Sequence, residues 1–217
     1  MSASAPDNNR PLTVSSTGAT WTSPGHAGSS AITLDGTGEL ATSQPVLDTA
    51  GAGGFSVAGW ARLSDRDGAG SGTIISQDGS TTSAFQLQLR SDRIDVDGDG
   101  TMDPSWCFTL LAEDSDTAEV GAACSAELVT EDWVHLAGVY NRAAGTMTLY
   151  VNGGYALGGA EVEIAAGSAP WAATGPLAIG RGRAAAAPAD RWTGDLDEIR
   201  AVQTSVTAEQ VTQWAMQ

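Results

Sequence analysis

Residues 132–153 constrain the fold more than any other stretch. Met147, Leu149 and Val151 alternate with Thr146, Thr148 and Tyr150, the period of a strand with one buried face. The run before it, Trp133–Tyr140, is largely apolar, and the polar turn at Asn141–Gly145 is short enough to join the two as antiparallel neighbours. Asn152-Gly153 is a second turn signal directly after. The same two-residue period recurs in Gly54–Leu63. Phe55, Val57, Ala61 and Leu63 share one face there, while Ser56, Ala58, Trp60 and Arg62 share the other. In Phe85–Arg90, Phe85, Leu87 and Leu89 point to a core and Gln86, Gln88 and Arg90 point away.

Short alternating runs punctuated by 27 glycines specify an all-β sandwich rather than βαβ units, and 217 residues suit one such domain. Strands are expected at Ala31–Leu34, Phe55–Leu63, Phe85–Arg90, Trp106–Leu111, Trp133–Tyr140, Thr146–Val151, Leu177–Gly180 and Asp195–Val202. One short helix should close the chain. Thr207 is its expected N-cap, Glu209 and Gln210 lie in its first turn, and Val211 and Trp214 share a face.

Charge narrows the function classes. The formal charge is −16, from 26 acidic residues against 10 arginines and no lysine. Nucleic acid is thereby excluded as a partner, because its binding depends on clustered cations that neutralise phosphates. No apolar run reaches about 18 residues, so no membrane-spanning helix is expected. The opening Met-Ser-Ala-Ser-Ala-Pro-Asp has no charged-then-apolar leader. Residues 1–25 are expected to be a flexible arm or a first edge strand, with the domain proper over 26–217.

The sharpest local motif is Asp95-Val-Asp97-Gly-Asp99-Gly-Thr-Met-Asp103. Alternate residues of a curled loop point inward, glycine permits the sharp turn, and the carbonyl of Thr101 can join the four carboxylates around a cation that needs six to eight oxygens. The spacing resembles the Asp-x-Asp-x-Asp-Gly-x-x-Asp calcium loops of thrombospondin-type-3 and dockerin-like proteins. Position 12 is Trp106 instead of a bidentate glutamate, so the likeness is to those shorter loops and not to an EF-hand. The alternative is a solvated acidic hairpin tip.

Several motifs fall in one order along the chain. They are Ser29–Leu40 with its Leu-Asp-Gly-Thr turn, the Phe-Ser-Val-x-x-Trp of Gly54–Leu63, the Trp-x-His and Leu-Tyr-Val-Asn-Gly runs within 132–153, Gly175–Gly180, and Gly-Asp-Leu-Asp-Glu-Ile-Arg within Trp192–Val202. Together they resemble bacterial laminin-G-like (LamG, concanavalin A-like) jelly-roll domains over roughly residues 26–217. The resemblance implies a sandwich of two antiparallel sheets with a short C-terminal helix, and a secreted or cell-surface setting. It also implies a structural calcium near Asp35 and Asp197, with an Asx turn at Asp35 and an edge contact at Asp197 as the alternative. Cys107 and Cys124 are the only cysteines, and the secreted character of the family favours a disulfide over two buried thiols.

Two function classes remain. Trp60 and Arg62 with Gln86, Gln88 and Arg90 could share a sheet face. An indole covers the apolar face of a sugar there while amides and guanidinium groups bond its hydroxyls. Trp60 can equally be a sheet-covering tryptophan, and His135 a packed strand histidine. A glycan is therefore the first-choice ligand of a calcium-stabilised binding or adhesion module, and an extracellular protein the second. The alternative class is a structural or assembly domain that packs against neighbours. Catalysis is not expected: the Glu-x-Asp-x-(x)-Glu strand of related glycoside hydrolases is missing, and neither His26 nor His135 accompanies a recognisable nucleophile motif.

Overall fold

The computed structural model describes residues 11–66, 70–95, 98–118, 120–167 and 170–217, with the side chain of Arg93 excepted. Two seven-stranded antiparallel sheets stack face to face. Sheet 1 runs β1 (Leu12–Val14), β4 (Leu40–Thr42), β13 (Leu177–Ile179), β6 (Gly72–Asp78), β7 (Ser83–Ile94), β8 (Asp103–Leu111), β9 (Val120–Cys124). Sheet 2 runs β12 (Glu161–Ala165), β11 (Thr146–Val151), β10 (Val134–Asn141), β5 (Phe55–Leu63), β16 (Thr193–Val202), β3 (Ala31–Asp35), β2 (Ala19–Thr22). A small hairpin, β14 (Gly182–Ala184) and β15 (Ala187–Ala189), forms a third, two-stranded sheet. The chain closes on the helix α1 (Ala208–Ala215).

Alternation explains the layers. Phe55, Val57, Ala61 and Leu63 of β5 face Phe85, Leu87 and Leu89 of β7 across one core, with Phe108 and Tyr140 beside them. The rings of Phe55 and Phe85 lie 4.9 Å apart at their centroids. Gly138 is glycine because Phe108 occupies its side-chain space: a Cβ there would lie 2.4 Å from the ring. The hairpin of 132–153 forms as its pattern requires, with Asn141 opposite Thr146 and Gly145 in the left-handed region at φ 66°.

The helix is capped as expected. Thr207 and Gln210 form a reciprocal capping box, and Val211 buries against Ala58, Ala137, Val139, Tyr150 and Val206 on the outer face of sheet 2. The expected strands are all present, several with extended bounds. Residues 12–22 give each sheet an edge strand, so the described part of the first 25 residues is built into the sandwich. Cys107 and Cys124 face each other across β8 and β9, Cα atoms 4.1 Å apart, joined by the disulfide.

Candidate functional site

The connections β3–β4, β5–β6, β7–β8, β9–β10 and β15–β16 emerge at one end of the sandwich, and contacts between them tie that end together. Glu131 of the β9–β10 connection accepts the Arg66 amide of the β5–β6 connection at 3.0 Å. Arg191 bonds the Thr37 carbonyl at 3.1 Å and pairs with Glu39 at 3.2 Å. Between the sheets here opens a depression of about 190 Å³. Leu63, Leu89 and Trp192 form its floor, and Asp65, Ser71, Arg191 and Thr193 stand around it. Gly72 also lines it, and the missing side chain lets β6 start against the indole: a Cβ would meet the Trp192 ring at 3.1 Å. Trp192 is buried, and its Nε1 has no hydrogen-bond partner among the described residues.

The acidic loop projects from the same end, its strands paired as far out as Ile94 opposite Asp103. Asp95 is the hub of its curl, accepting the Gly98 amide at 2.7 Å and the Gly100 amide at 2.9 Å. Gly98 and Gly100 take φ of 77° and 91°, a conformation that glycine adopts without strain. Asp99 accepts the Thr101 amide at 2.7 Å. Asp95, Asp99, Thr101 and Asp103 thus share a tight loop in which the carboxylates of Asp95 and Asp99 are engaged by backbone amides, and among the described residues no three carboxylates converge as a ready ligand set. Asp97 lies outside the described residues.

Asp35 and Asp197 do not meet. Thr193 is the residue opposite Asp35, so Asp197 lies four positions farther along β16, roughly 13 Å away at about 3.3 Å per residue. Each carboxylate has a local task instead. Asp35 accepts the Thr37 amide at 2.9 Å and the Thr37 hydroxyl at 2.7 Å, an Asx turn whose hydrogen bonds lower its pKa. Asp197 accepts the amides of Ala27 at 3.0 Å and Glu198 at 2.8 Å.

The five residues expected to share a binding face lie on two. Trp60 and Arg62 belong to sheet 2, whereas Gln86, Gln88 and Arg90 belong to sheet 1, so the two groups point away from each other on opposite outer faces. Alternation gives a residue's side of its own strand but not the sheet to which that strand belongs. Gln88 is fully buried and donates to Thr109 at 2.9 Å. Gln86 lies under the β14–β15 hairpin: its Nε2 is 2.2 Å from where a Cβ on Gly182 would stand. Arg90 is held by Asp92 at 2.5 Å.

Trp60 is covered too. The His26 imidazole stacks on it with centroids 3.5 Å apart and planes 19° from parallel, and meets Trp133 edge-on at 5.6 Å. His135 contacts the other side of the cluster at 5.3 Å from Trp60. Arg62 lies over the Trp133 ring at 5.0 Å and pairs with Asp195 at 2.6 Å. Burial, with smaller contributions from Arg200 and His26, pushes the His135 pKa down to about 4. Burial also lowers that of His26, against the opposing pull of Asp197. His26 was not a candidate from sequence, since it lies 34 positions before Trp60 in an irregular segment whose sequence gives no sign of its neighbour.

The fold and these surfaces define a lectin-like sandwich whose open concavity lies at its loop end. The chain belongs to the concanavalin A-like lectin/glucanases superfamily, whose Laminin_G_3 family model matches residues 34–212. Among solved structures it is similar to domain 4 of AbnA, an extracellular arabinanase from Geobacillus stearothermophilus, in complex with arabinotriose. That match has 17% identity and a TM-score of 0.65 over 94% of this chain and 88% of that one. It is also similar to the CBM40 domain of the Ruminococcus gnavus IT-sialidase bound to α2,3-sialyllactose, at 8% identity and a TM-score of 0.56 over 76% and 83%. The botulinum neurotoxin serotype G binding domain matches at 10% identity and a TM-score of 0.64, over 98% of this chain but only 47% of that domain. No curated protein matches the chain. No helix among the described residues is long and apolar enough to cross a membrane.

Proposed function

We propose that this chain is a non-catalytic, extracellular carbohydrate-binding module that holds a sugar ring at the loop end of its sandwich and is stabilised there by calcium. The observation that carries this reading is the depression between β5, β6, β7 and β16, open whereas the two outer faces over which the five expected residues are divided are covered by the protein's own side chains and loops. Its apolar floor suits the C–H face of a sugar, and Asp65, Ser71, Arg191 and Thr193 supply donors and acceptors for hydroxyls. The glycan-bound structures of the arabinanase and sialidase domains support the ligand class. The calcium part rests on the curled acidic loop at the same end.

A glycan-array screen of the purified chain with and without calcium tests the proposal. Binding to a defined set of glycans is expected, with the double variant Asp65→Ala and Thr193→Ala losing at least about tenfold in affinity, as removal of one or two hydrogen bonds to a ligand should cost about 1.4 kcal/mol or more. Absence of binding to any glycan would sink it.

A second reading, a structural or assembly domain, is favoured by one feature. Leu12, Val14 and Trp21 are 43%, 37% and 67% exposed on the inner faces of the edge strands β1 and β2, where the two sheets part. Concentration-dependent self-association abolished by Trp21→Ser would support it.

A further inference from the structure

Residues 23–30 lie across the outer face of sheet 2 and hide an aromatic floor. Among the described residues their hold includes the stack of His26 on Trp60, its edge contact with Trp133, and a charge-assisted hydrogen bond from Ala27 N–H to Asp197. Gly25 is pressed against Asp197 so closely that a Cβ would lie 2.6 Å from its carboxylate. Beneath the segment, Nδ1 of His26, Nδ1 of His135 and Nε1 of Trp60 are all buried without a hydrogen-bond partner among the described residues. Buried polar atoms are nearly always paired, so three orphans in one cluster mark a closure that water would compete against.

We propose that residues 23–30 form a lid that acid opens, baring the Trp60–Trp133 floor of sheet 2. Two imidazoles, both held neutral by burial, are the closing elements that a proton can reach. The lid itself carries no other ionisable side chain. The charged and titratable groups around the two rings are Asp197, which acts on His26, Arg200, which acts on His135, and Arg62, which lies over Trp133. Asp195 is engaged by Arg62 and Glu198 by Arg200. Asp197 is the carboxylate that favours His26 in its charged form, and it is already shared between two amides. A proton on His135 would therefore add charge to a buried ring beside Arg200 and His26, while one on His26 is opposed by burial against the pull of Asp197.

The direction follows from linkage. Both histidines have pKa values below the ordinary 6.5 in the closed form, so the open form binds more protons. Closure is complete above about pH 6.5 and weakens as pH falls toward 4. For His135 alone, opening that restores its ordinary value shifts the equilibrium on the order of a hundredfold between pH 7 and pH 4.

NMR of the intact chain from pH 8 to pH 4, following both imidazoles, the Ala27 amide and core amides such as Leu149, tests this. The expected result is that both imidazoles titrate below 6.5 and the Ala27 amide leaves its folded position in the same transition while Leu149 stays. His26→Phe keeps the stack but cannot titrate, and should hold Ala27 in place to lower pH. Three results would overturn the proposal: an imidazole of His26 titrating at or above 6.5, an Ala27 amide unmoved while both rings titrate, or Leu149 moving with Ala27. The wild-type titration decides the matter even if the variant does not fold.

Discussion

Asp114 illustrates how single carboxylates, spent on the backbone, hold this protein's turns. It accepts the amides of Ser80, Thr81 and Thr82 at 2.7, 2.8 and 2.9 Å. Burial raises its pKa, but the three amides and Arg183 outweigh that and leave it lowered. Asp114→Ala should therefore cost about 1–3 kcal/mol, the range for leaving donors unsatisfied, as measured by denaturant unfolding at pH 7. The contribution is fully present above the ordinary carboxylate value of 3.8 and is lost below it, as pH falls through the lowered value of the folded state, so wild type and variant should converge in stability in strong acid. Such roles were poorly legible in the sequence. The Asx turn at Asp35 was readable as an alternative to a metal site because its partner Thr37 lies two residues on, whereas Asp95 was read as a cation ligand and its hold on the Gly98 and Gly100 amides was not. Asp114, which works 32 to 34 positions back along the chain, gave no signal, and neither did Asp197, whose partner Ala27 lies 170 positions away.

Elements were legible where large apolar residues alternate with small or polar ones in the sequence, whether or not one side is exposed. β5, β7 and β11 show their core face as alternation, and β10 was legible as an apolar run before a turn. β6 is buried along its whole length and reads Gly-Thr-Ile-Ile-Ser-Gln-Asp, with irregular pairing between Thr73 and Ile75, so no period survives. β1, β4, β14 and β15 are three residues each, too short for any period to register. The hairpin β14–β15 mattered most among the missed elements, because it covers Gln86 and turns an expected binding face into an internal surface. Where two elements are pinned covalently, the consequence can be measured. The Cys107–Cys124 bond joins β8 to the edge strand β9 across a separation of 17 residues. Replacing both cysteines by alanine should destabilise the chain by about 3 kcal/mol on the chain-entropy model. That corresponds to a fall of roughly 6–12 °C in melting temperature for a domain of this size. Calorimetry of the oxidised wild type against the double variant checks it, and β9, as an edge strand, should lose amide protection first.

At the scale of the molecule, acidic side chains gather at the end that also carries the depression. Asp35, Asp65, Asp95, Asp99, Asp103 and Glu131 all stand in or beside connections that emerge there. Like charges on one rim raise the free energy of the folded state, and a bound cation is the direct way to offset them. If the acidic loop takes calcium, the ion binds the curled form of the Asp95–Asp103 hairpin in preference to the unfolded chain, and stability rises by linkage. At free calcium 100 times the dissociation constant the gain is about 2.7 kcal/mol, or roughly 5–11 °C in melting temperature. The double variant Asp95→Asn and Asp99→Asn removes two anionic ligands while keeping side-chain size and an oxygen for the Thr101 amide, although one of the two amides that Asp95 holds, Gly98 or Gly100, loses its acceptor. It should unfold slightly below calcium-free wild type, by the loss of one exposed loop hydrogen bond, and lose most of the calcium-dependent rise. Because the loop lies at the same end as Leu63, Leu89 and Trp192, loss of calcium should also weaken glycan binding. Thermal melts of both proteins with calcium and with chelator measure the first effect and titration calorimetry the second. A wild-type melting curve that calcium leaves unmoved would make the loop a solvated tip and detach calcium from the binding end altogether.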